Sequence, residues 1–296
     1  MLFQQTISNL ADWAKVFQDK EIFEPFVKRI FQENGMIYEG IDNCTPGSNA
    51  VFRSGKYIVK IFAPEESEIG GESDYITEKY GLSHANRLHI AAPKLYADGV
   101  IEDKYIFRYL LMEYVEGQSL ADISDSLSAE ERIRIGRRLR EAVERMDTEC
   151  EPFNSHMLFG KMAEKRWGVF PESFQKERAA YLNTRKLENC VFVHGDLNPD
   201  NIIINDKLEI CVIDFADALI APVELELAGL ICDGVKFDPD YLQGFWENYD
   251  KESLTEQLVY GLMLHDYGAN IIRDNIGNPA KISSLQELRE RILEKI

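Results

Sequence analysis

The spacing of apolar residues changes along the chain. Between Ile7 and Phe17 apolar side chains recur at helical spacing, and a second helix is predicted from Pro25, a favoured first helical residue, to a stop at Gly35. From Met36 onward the pattern predicts short strands instead, separated by polar or glycine-containing turns. These strands are expected at 37–42, 50–53, 56–62, 94–99 and 105–114, with a helix at 75–88.

The second part of the chain has mainly helical patterns. Apolar stripes follow three capping-box signatures, each a serine followed three residues later by a glutamate. These signatures are Ser128 with Glu131, Ser253 with Glu256 and Ser284 with Glu287. We therefore expect two domains, a strand-rich part over 1–115 with a helical extension at 1–35, and a mostly helical part over 116–296.

A β-hairpin is predicted within residues 192–217. The apolar runs 202–204 and 208–213 flank a polar turn, so antiparallel pairing places Asn201 opposite roughly Ile213. Asp214 then lies next to Asn201, and the loop that carries Asp196 enters at the same end. Three oxygen-bearing side chains are therefore expected to converge, although up to eighteen positions separate them.

This group of side chains suits phosphoryl transfer. Magnesium prefers hard oxygen ligands and takes only one or two from protein when it shares phosphate oxygens, which fits Asn201 and Asp214. Asp196 is then left to accept a hydroxyl proton. Each residue alone would be better explained as a turn cap, so the hypothesis depends on all three together.

The motif itself resembles a known family. The segment HGDLNPDN at 194–201, followed by IDF at 213–215, resembles the catalytic and metal-binding segments of the protein-kinase-like superfamily. In this motif, glycine follows the histidine where protein kinases have arginine. A motif of this form is similar to that of the aminoglycoside phosphotransferases and their choline, homoserine and sugar kinase relatives. The resemblance implies an α+β, bilobal protein-kinase-like fold with a five-stranded antiparallel sheet in the small lobe and a larger, mostly helical lobe.

The resemblance also implies a nucleotide site in the first lobe. The segments GSNAVF and YIVKIF resemble the short phosphate loop and the following strand of small-molecule phosphotransferases, which assigns phosphate contacts to Gly47, Ser48, Asn49 and Lys60. Glu78 is expected to pair with Lys60, with Glu68 and Glu72 as rivals. From the connector LMEYVEG, the resemblance implies that Glu113 and Val115 bind the base through main-chain groups.

For the reaction, the same comparison implies Asp196 as the catalytic residue, His194 as an orienting residue, and Asn201 and Asp214 as Mg²⁺ ligands. The donor would be ATP or GTP. A lysine in an apolar strand more often extends its ammonium group to water, and a histidine before a glycine turn more often hydrogen-bonds the surrounding backbone. The roles of Lys60 and His194 therefore depend on the resemblance.

Composition narrows the class of partner. The net charge of −18 disfavours nucleic acid and favours a cationic small molecule, although an acidic surface equally serves solubility. The apolar runs are too short for a membrane span, and the first residues lack a signal-peptide pattern, so we expect a cytoplasmic protein. Five scattered cysteines without a CxxC pair indicate neither a disulfide framework nor a zinc site.

The acceptor is expected to be a small hydroxyl compound, and an aminoglycoside-like amine is one candidate. The next predicted helix, 224–231, follows within ten residues of Asp214, which leaves no room for a long activation segment. Acidic and aromatic residues of 233–250 are candidate acceptor contacts, but they suit a solvated helix equally well. Alternatives are a kinase of choline, homoserine or a sugar, a protein kinase, and a non-catalytic nucleotide-binding relative.

Overall fold

The computed structural model describes residues 1–45, 47–156, 158 and 161–296, without the side chains of 161–163. The chain is an α+β protein with two compact units. Unit 1 comprises Met1–Arg87 and Ala92–Glu116, and unit 2 comprises Leu88–Ala91 and Gly117–Ile296.

Unit 1 contains the predicted five-stranded antiparallel sheet. Its strands are hydrogen-bonded in the order β1-β2-β3-β5-β4. They are β1 Asp42–Asn43, β2 Ala50–Ser54, β3 Tyr57–Ile61, β4 Leu95–Glu102 and β5 Ile106–Glu113. The predicted first strand at 37–42 is wrong over most of its length, because only Asp42 and Asn43 pair with β2.

Three helices accompany this sheet: α1 Leu10–Ala14, α2 Lys20–Glu33 and α3 Gly71–Arg87. Helix α2 begins five residues before Pro25, since the Asp19 side chain caps it by accepting hydrogen bonds from the amides of Glu21 and Ile22. The predicted stop at Gly35 is present, with φ of +65° just beyond the helix.

The N-terminal segment supplies much of the unit 1 core. Phe3, Phe23 and Phe26 are fully buried, and Phe26 meets Phe107 of β5 edge-on, with ring centroids 5.1 Å apart. Each such ring contributes about 1.5–3 kcal/mol through burial. Residues 1–34 are therefore an integral layer of unit 1.

Unit 2 contains two small sheets. Strands β6 Gln118–Ser119, β8 Ile202–Ile204 and β9 Ile210–Val212 form one, and β7 Cys190–Val193 with β10 Leu219–Pro222 forms the other. Ile202 pairs with Val212, so the predicted hairpin register is confirmed. Strand β9 starts two residues later than predicted, because Leu208 adopts φ of +58° in a turn held by the Asn205 side chain.

Helices make up most of the rest of unit 2. They are α4 Leu120–Ile123, α5 Ala129–Met146, α6 Lys161–Arg166, α7 Glu172–Asn183, α8 Val223–Ala228, α9 Pro239–Phe245, α10 Lys251–Leu264, α11 Gly268–Ile271 and α12 Leu285–Leu293. The capping box at Ser128 is present, and Ser284 caps α12 as predicted. Ser253 does not cap α10; Asp250 does, and its side chain accepts the Ser253 amide.

Two π-helical turns, Gly229–Gly234 and Ile272–Ile276, follow α8 and α11 directly. Within the described part of the chain, no helix combines the length and the apolar character that a membrane crossing requires.

Candidate active site

The candidate phosphate loop of unit 1, residues 44–49, precedes β2; its Pro46 lies outside the described residues. Asn49 is 1% exposed, and its side-chain oxygen accepts the Ala63 amide at 3.1 Å. The Ser48 carbonyl accepts the indole N–H of Trp13 at 2.8 Å. Gly47 is exposed, and a Cβ there would meet no atom within 4 Å, so the protein itself imposes no need for glycine at this position.

Lys60 and Glu78 form a buried ion pair in unit 1. Lys60 on β3 is 5% exposed and Glu78 on α3 is 1% exposed, and the Lys60 ammonium donates to the Glu78 carboxylate. The rival Glu72 instead accepts from Arg108. A buried ion pair contributes little net stability, but removing one partner leaves an uncompensated charge, so the pair fixes where the lysine lies.

The predicted base-binding residues lie at the end of β5 and just beyond it, because Glu113 is the last residue of the strand. The Glu113 amide donates to the Lys94 carbonyl at 2.9 Å, and the Glu113 carboxylate accepts the Lys94 amide at 3.2 Å. These bonds fix the start of the connector that contains Val115, which is half-buried. Because the Glu113 amide is committed, a main-chain contact by Glu113 to a base would have to use its carbonyl.

The hairpin of unit 2 brings the three predicted oxygen-bearing residues to one corner. The Ile213 amide donates to the Asn201 carbonyl at 3.0 Å, which places Asp214 beside Asn201. The Asn201 side-chain amide donates to both the carbonyl and the carboxylate of Asp196, at 2.9 and 3.0 Å. Asp214 itself has φ of +61°, a left-handed conformation that ends the strand direction abruptly.

His194 orients this corner through hydrogen bonds to the backbone. Its Nδ1 accepts the Asp196 amide at 3.3 Å, so the ring proton lies on Nε2, which donates to the Ile213 carbonyl at 2.9 Å. The ring is fully buried and packs on Phe215, with ring centroids 4.7 Å apart. His194 therefore joins the loop of Asp196 to the strand end that carries Asp214.

Gly195 is required by the backbone of this loop. Its φ is +80°, and a Cβ there would lie 2.3 Å from the Asp217 carbonyl oxygen. Any side chain would combine an unfavourable conformation with a collision against rigid backbone. The residue at this position must consequently be glycine if the corner is to keep its shape.

A buried carboxylate that the sequence analysis missed supports the same loop. Glu226 of α8 is 2% exposed and accepts the amides of His194 and Gly195. Burial raises the pKa of Glu226 to about 7, while these amide hydrogen bonds act in the opposite direction. Its sequence context, a glutamate between two leucines on an apolar helix face, is the signal that could have identified it.

The chemistry of Asp196 follows from its surroundings. Burial raises its pKa to about 6, and the nearby charges of Asp217 and Asp214 add to the effect, whereas hydrogen bonds from Asn198 and Asn201 lower it. A carboxylate with a pKa near 6 is a better proton acceptor than an exposed one and is still ionised at neutral pH.

The Asn201 and Asp214 pair fits a divalent metal that is shared with phosphate. The side-chain nitrogen of Asn201 already donates to Asp196. The side-chain oxygen of Asn201 is therefore the atom that would bind a cation. Among the described residues, no three His, Cys, Asp or Glu side chains cluster into an all-protein metal site. One amide and one carboxylate are the small number of protein ligands that Mg²⁺ takes when phosphates and water complete its shell.

A cavity of about 580 Å³ lies beside Asp196 within unit 2. Five aspartates line it, and the described lining residues include no lysine or arginine; the aspartates are Asp196, Asp217, Asp233, Asp266 and Asp274. Arg273 forms a two-point ion pair with Asp274, so that charge is compensated. The volume is within the range of small-molecule sites, and the remaining carboxylates favour a cation.

His265 adds a neutral polar group to the cavity. It is 7% exposed, and its Nδ1 accepts the Tyr267 amide at 3.0 Å. Burial lowers its pKa to about 4, and nearby Arg166 acts in the same direction. The imidazole is therefore uncharged at neutral pH despite the acidic lining.

Both π-helical turns contribute to the lining, through Gly229 and Asp233 from the first and Asp274 from the second. The Asn275 side chain donates to the Asp233 carboxylate at 2.7 Å and so joins the two turns. π-Helical turns are rare and are frequently found at functional sites.

Several of the candidate acceptor contacts in 233–250 have structural roles instead. Asp238 caps α9 and pairs with Arg132, and Asp250 caps α10. Tyr241 and Phe245 are buried in the core. Of the acidic residues in that group, only Asp233 is in the lining of the described cavity.

Comparison with known proteins places this geometry in context. Residues 47–258 match the model of the phosphotransferase enzyme family. No curated protein sequence gives a significant match.

Solved structures with the same fold cover almost the whole chain. One is an amicoumacin kinase in complex with AMP-PNP, Ca²⁺ and its antibiotic, at 15% identity, TM-score 0.62 and 95% coverage of both chains. A second is the GDP complex of aminoglycoside 2'-phosphotransferase-IIIa, at 15% identity and TM-score 0.57, covering 94% of this chain and 100% of that one. A third is the choline kinase LicA from Streptococcus pneumoniae, at 14% identity and TM-score 0.57, covering 92% of this chain and 98% of that one.

Proposed function

Because the chain belongs to the phosphotransferase enzyme family, whose members transfer phosphoryl groups to small hydroxyl compounds, we propose that it moves the γ-phosphate of ATP or GTP to a hydroxyl of a small, amine-bearing molecule. The observation that carries this proposal is the corner of unit 2 where the Asp196 carboxylate accepts a hydrogen bond from the Asn201 side chain. This corner lies beside an acidic cavity of about 580 Å³. The bound AMP-PNP and GDP of structural neighbours support a nucleotide donor.

In this proposal Asp196 orients the acceptor hydroxyl and takes its proton as the phosphoryl group arrives. Its pKa of about 6 suits that task, since the carboxylate is ionised at neutral pH yet more basic than an exposed aspartate. His194 holds the Asp196 backbone, and Glu226 holds the loop from the other side.

Lys60 restrains the donor phosphates, with Glu78 fixing its ammonium, and the backbone of Gly47, Ser48 and Asn49 approaches the same phosphates. Glu113 and Val115 contact the base through main-chain atoms. Asn201 and Asp214 hold Mg²⁺, which neutralises phosphate charge when bound. The Ca²⁺ in the amicoumacin kinase complex supports a divalent ion in this role.

The acceptor class follows from charge. The chain has a net charge of −18, and the cavity is lined by five aspartates, of which one is paired with an arginine. An ammonium group would be attracted to this lining, whereas a carboxylated or phosphorylated acceptor would be repelled. Aminoglycoside-like amines and choline satisfy this requirement better than homoserine or neutral sugars. We propose a cytoplasmic location, in keeping with a nucleotide donor.

The proposal is tested by an acceptor screen with kanamycin, choline, homoserine and neutral sugars, each with ATP and with GTP in the presence of Mg²⁺. We expect phosphorylation of a cationic acceptor, kanamycin or choline, with loss of product in Asp196→Ala. Nucleotide binding without transfer to any acceptor would contradict the proposal and favour a non-catalytic relative. Phosphate incorporated only into protein would favour a protein kinase.

A further inference from the structure

Trp13 lies outside the part of the chain that matches the family model, which begins at residue 47. Its ring is 1% exposed, and its indole N–H donates to the Ser48 carbonyl at 2.8 Å. A buried side chain from the N-terminal segment thus contacts the backbone of the candidate phosphate loop.

The next residue gives the loop a second anchor. Asn49 is buried, its side-chain oxygen accepts the Ala63 amide at 3.1 Å, and its side-chain nitrogen donates to the Ser48 hydroxyl at 3.3 Å. The exposed residues Gly47 and Ser48 are therefore followed directly by Asn49, whose side chain is held by hydrogen bonds. The bond to Trp13 extends this fixation to the Ser48 peptide group.

Trp13 is itself held rigidly. Its ring stacks on Phe17 and meets Phe23 edge-on, with centroids 6.1 and 5.8 Å away. The segment before it is tied to the β4–β5 hairpin, since Asp103 accepts the amide of Phe3 at 2.8 Å and the Tyr105 hydroxyl accepts the amide of Ile7 at 2.9 Å. The indole N–H therefore projects from a packed layer rather than from a free N-terminal arm.

A loop that binds phosphates through backbone amides must hold those amides in place, and ordering a free loop on binding costs conformational entropy. We propose that Trp13 is a positioning residue that holds the phosphate loop ready for the donor triphosphate through its hydrogen bond to Ser48. This inference rests on the proposed function, because it takes the donor phosphates to lie against this loop.

The test separates the hydrogen bond from the packing of the ring. Trp13→Phe keeps an aromatic ring and removes the donor, and the benzothienyl analogue of tryptophan at position 13 keeps the full ring shape with sulfur in place of N–H. Trp167→Phe is the matched control, because Trp167 is 2% exposed and its indole N–H has no partner among the described residues. Calorimetry with ATP and with adenosine measures binding, or with GTP and guanosine if GTP is the donor.

We expect both Trp13 variants to bind the triphosphate roughly twofold to tenfold more weakly, the effect of one neutral hydrogen bond, with unchanged binding of the nucleoside. The amides of residues 47–49 should exchange hydrogen faster in both variants without ligand. Trp167→Phe should change neither measurement.

Equal weakening of triphosphate and nucleoside would overturn the inference, because a general loss of unit 1 structure would affect both. Unchanged amide exchange at 47–49 in the benzothienyl protein would also overturn it, even if no nucleotide bound. Failure of the wild-type protein to bind ATP and GTP would instead refute the proposed function, and the exchange experiment would still decide whether Trp13 restrains the loop.

Discussion

Glu226 offers a quantitative test of how the loop of Asp196 is supported. Its carboxylate accepts the amides of His194 and Gly195 from a buried position on α8. Replacing it with glutamine keeps an oxygen that can accept these bonds but removes the ionisable group. Replacing it with alanine removes the acceptor altogether.

The magnitude follows from the pKa of Glu226, which burial raises from 4.5 to about 7. A carboxyl group with a raised folded-state pKa favours folding fully below its unfolded pKa, and that contribution is lost as pH rises through the folded value. Between pH 5.5 and 8 this loss is about 2 kcal/mol for such a pair of pKa values. The wild-type protein should therefore lose about 2 kcal/mol more unfolding free energy over this interval than Glu226→Gln.

The assay is urea unfolding of both proteins at pH 5.5 and 8, followed by circular dichroism. Asp196 also titrates in this interval, but it is present in both proteins, so its contribution largely cancels. If the stability difference between the two proteins stays constant with pH, the Glu226 carboxyl does not titrate between pH 5.5 and 8.

The alanine variant tests positioning. Glu226→Ala leaves the amides of His194 and Gly195 without an acceptor, which costs about 1–3 kcal/mol of stability for each buried group. It also frees the loop that carries Asp196. We expect kcat to fall in Glu226→Ala and to be largely retained in Glu226→Gln. Equal kcat values for the two variants would refute a role for these hydrogen bonds in holding the loop.

Further predictions concern the same corner. With Asp196 as proton acceptor, kcat/KM for the acceptor should fall as pH drops through about 6, and Asp196→Asn should lower kcat roughly 100- to 10,000-fold with nucleotide binding retained; a flat pH profile would contradict this role. Gly195→Ala should destabilise the protein by about 1–3 kcal/mol in thermal unfolding and should reduce kcat. The control Gly168→Ala should change neither stability nor kcat, because a Cβ at Gly168 meets no atom within 4 Å. Chelation by EDTA should abolish activity and added Mg²⁺ should restore it, and Asp214→Ala should raise the Mg²⁺ requirement at least about tenfold, the loss that even outer-sphere partners of a metal cause; unchanged Mg²⁺ titration of the variant would exclude Asp214 as a ligand.

The fold and the central corner could be predicted because their signals are local. Two apolar runs around a polar turn define the register that places Asp214 beside Asn201, and the bond from the Ile213 amide to the Asn201 carbonyl follows directly from it. Glu78 was the preferred partner of Lys60, but its rival Glu72 lies on the same helix α3, and the two are separated only by tertiary contacts, in which Glu72 accepts from Arg108.

Other features depend on tertiary contacts that no local pattern specifies. In the sequence of α8, Glu226 is marked only by its place between two leucines, and its role becomes clear only when the amides that it binds are known. Asp238 and Asp250 precede helices, and helix capping accounts for them better than acceptor binding does. The start of α2 at Lys20 was missed because the Asp19 cap outweighs the preference of proline for the first turn.

The two π-helical turns make the acidic cavity beside Asp196 sensitive to the length of the chain. A π turn contains roughly one residue more than the corresponding α turn. Deleting one of residues 230–232 would restore α geometry and rotate the following side chains by about 100° around the axis, which would carry Asp233 out of reach of Asn275. The lining of this cavity, and with it the proposed acceptor site, can therefore change through single-residue insertions and deletions, while the hairpin next to Asp196 and Asp214 keeps its register.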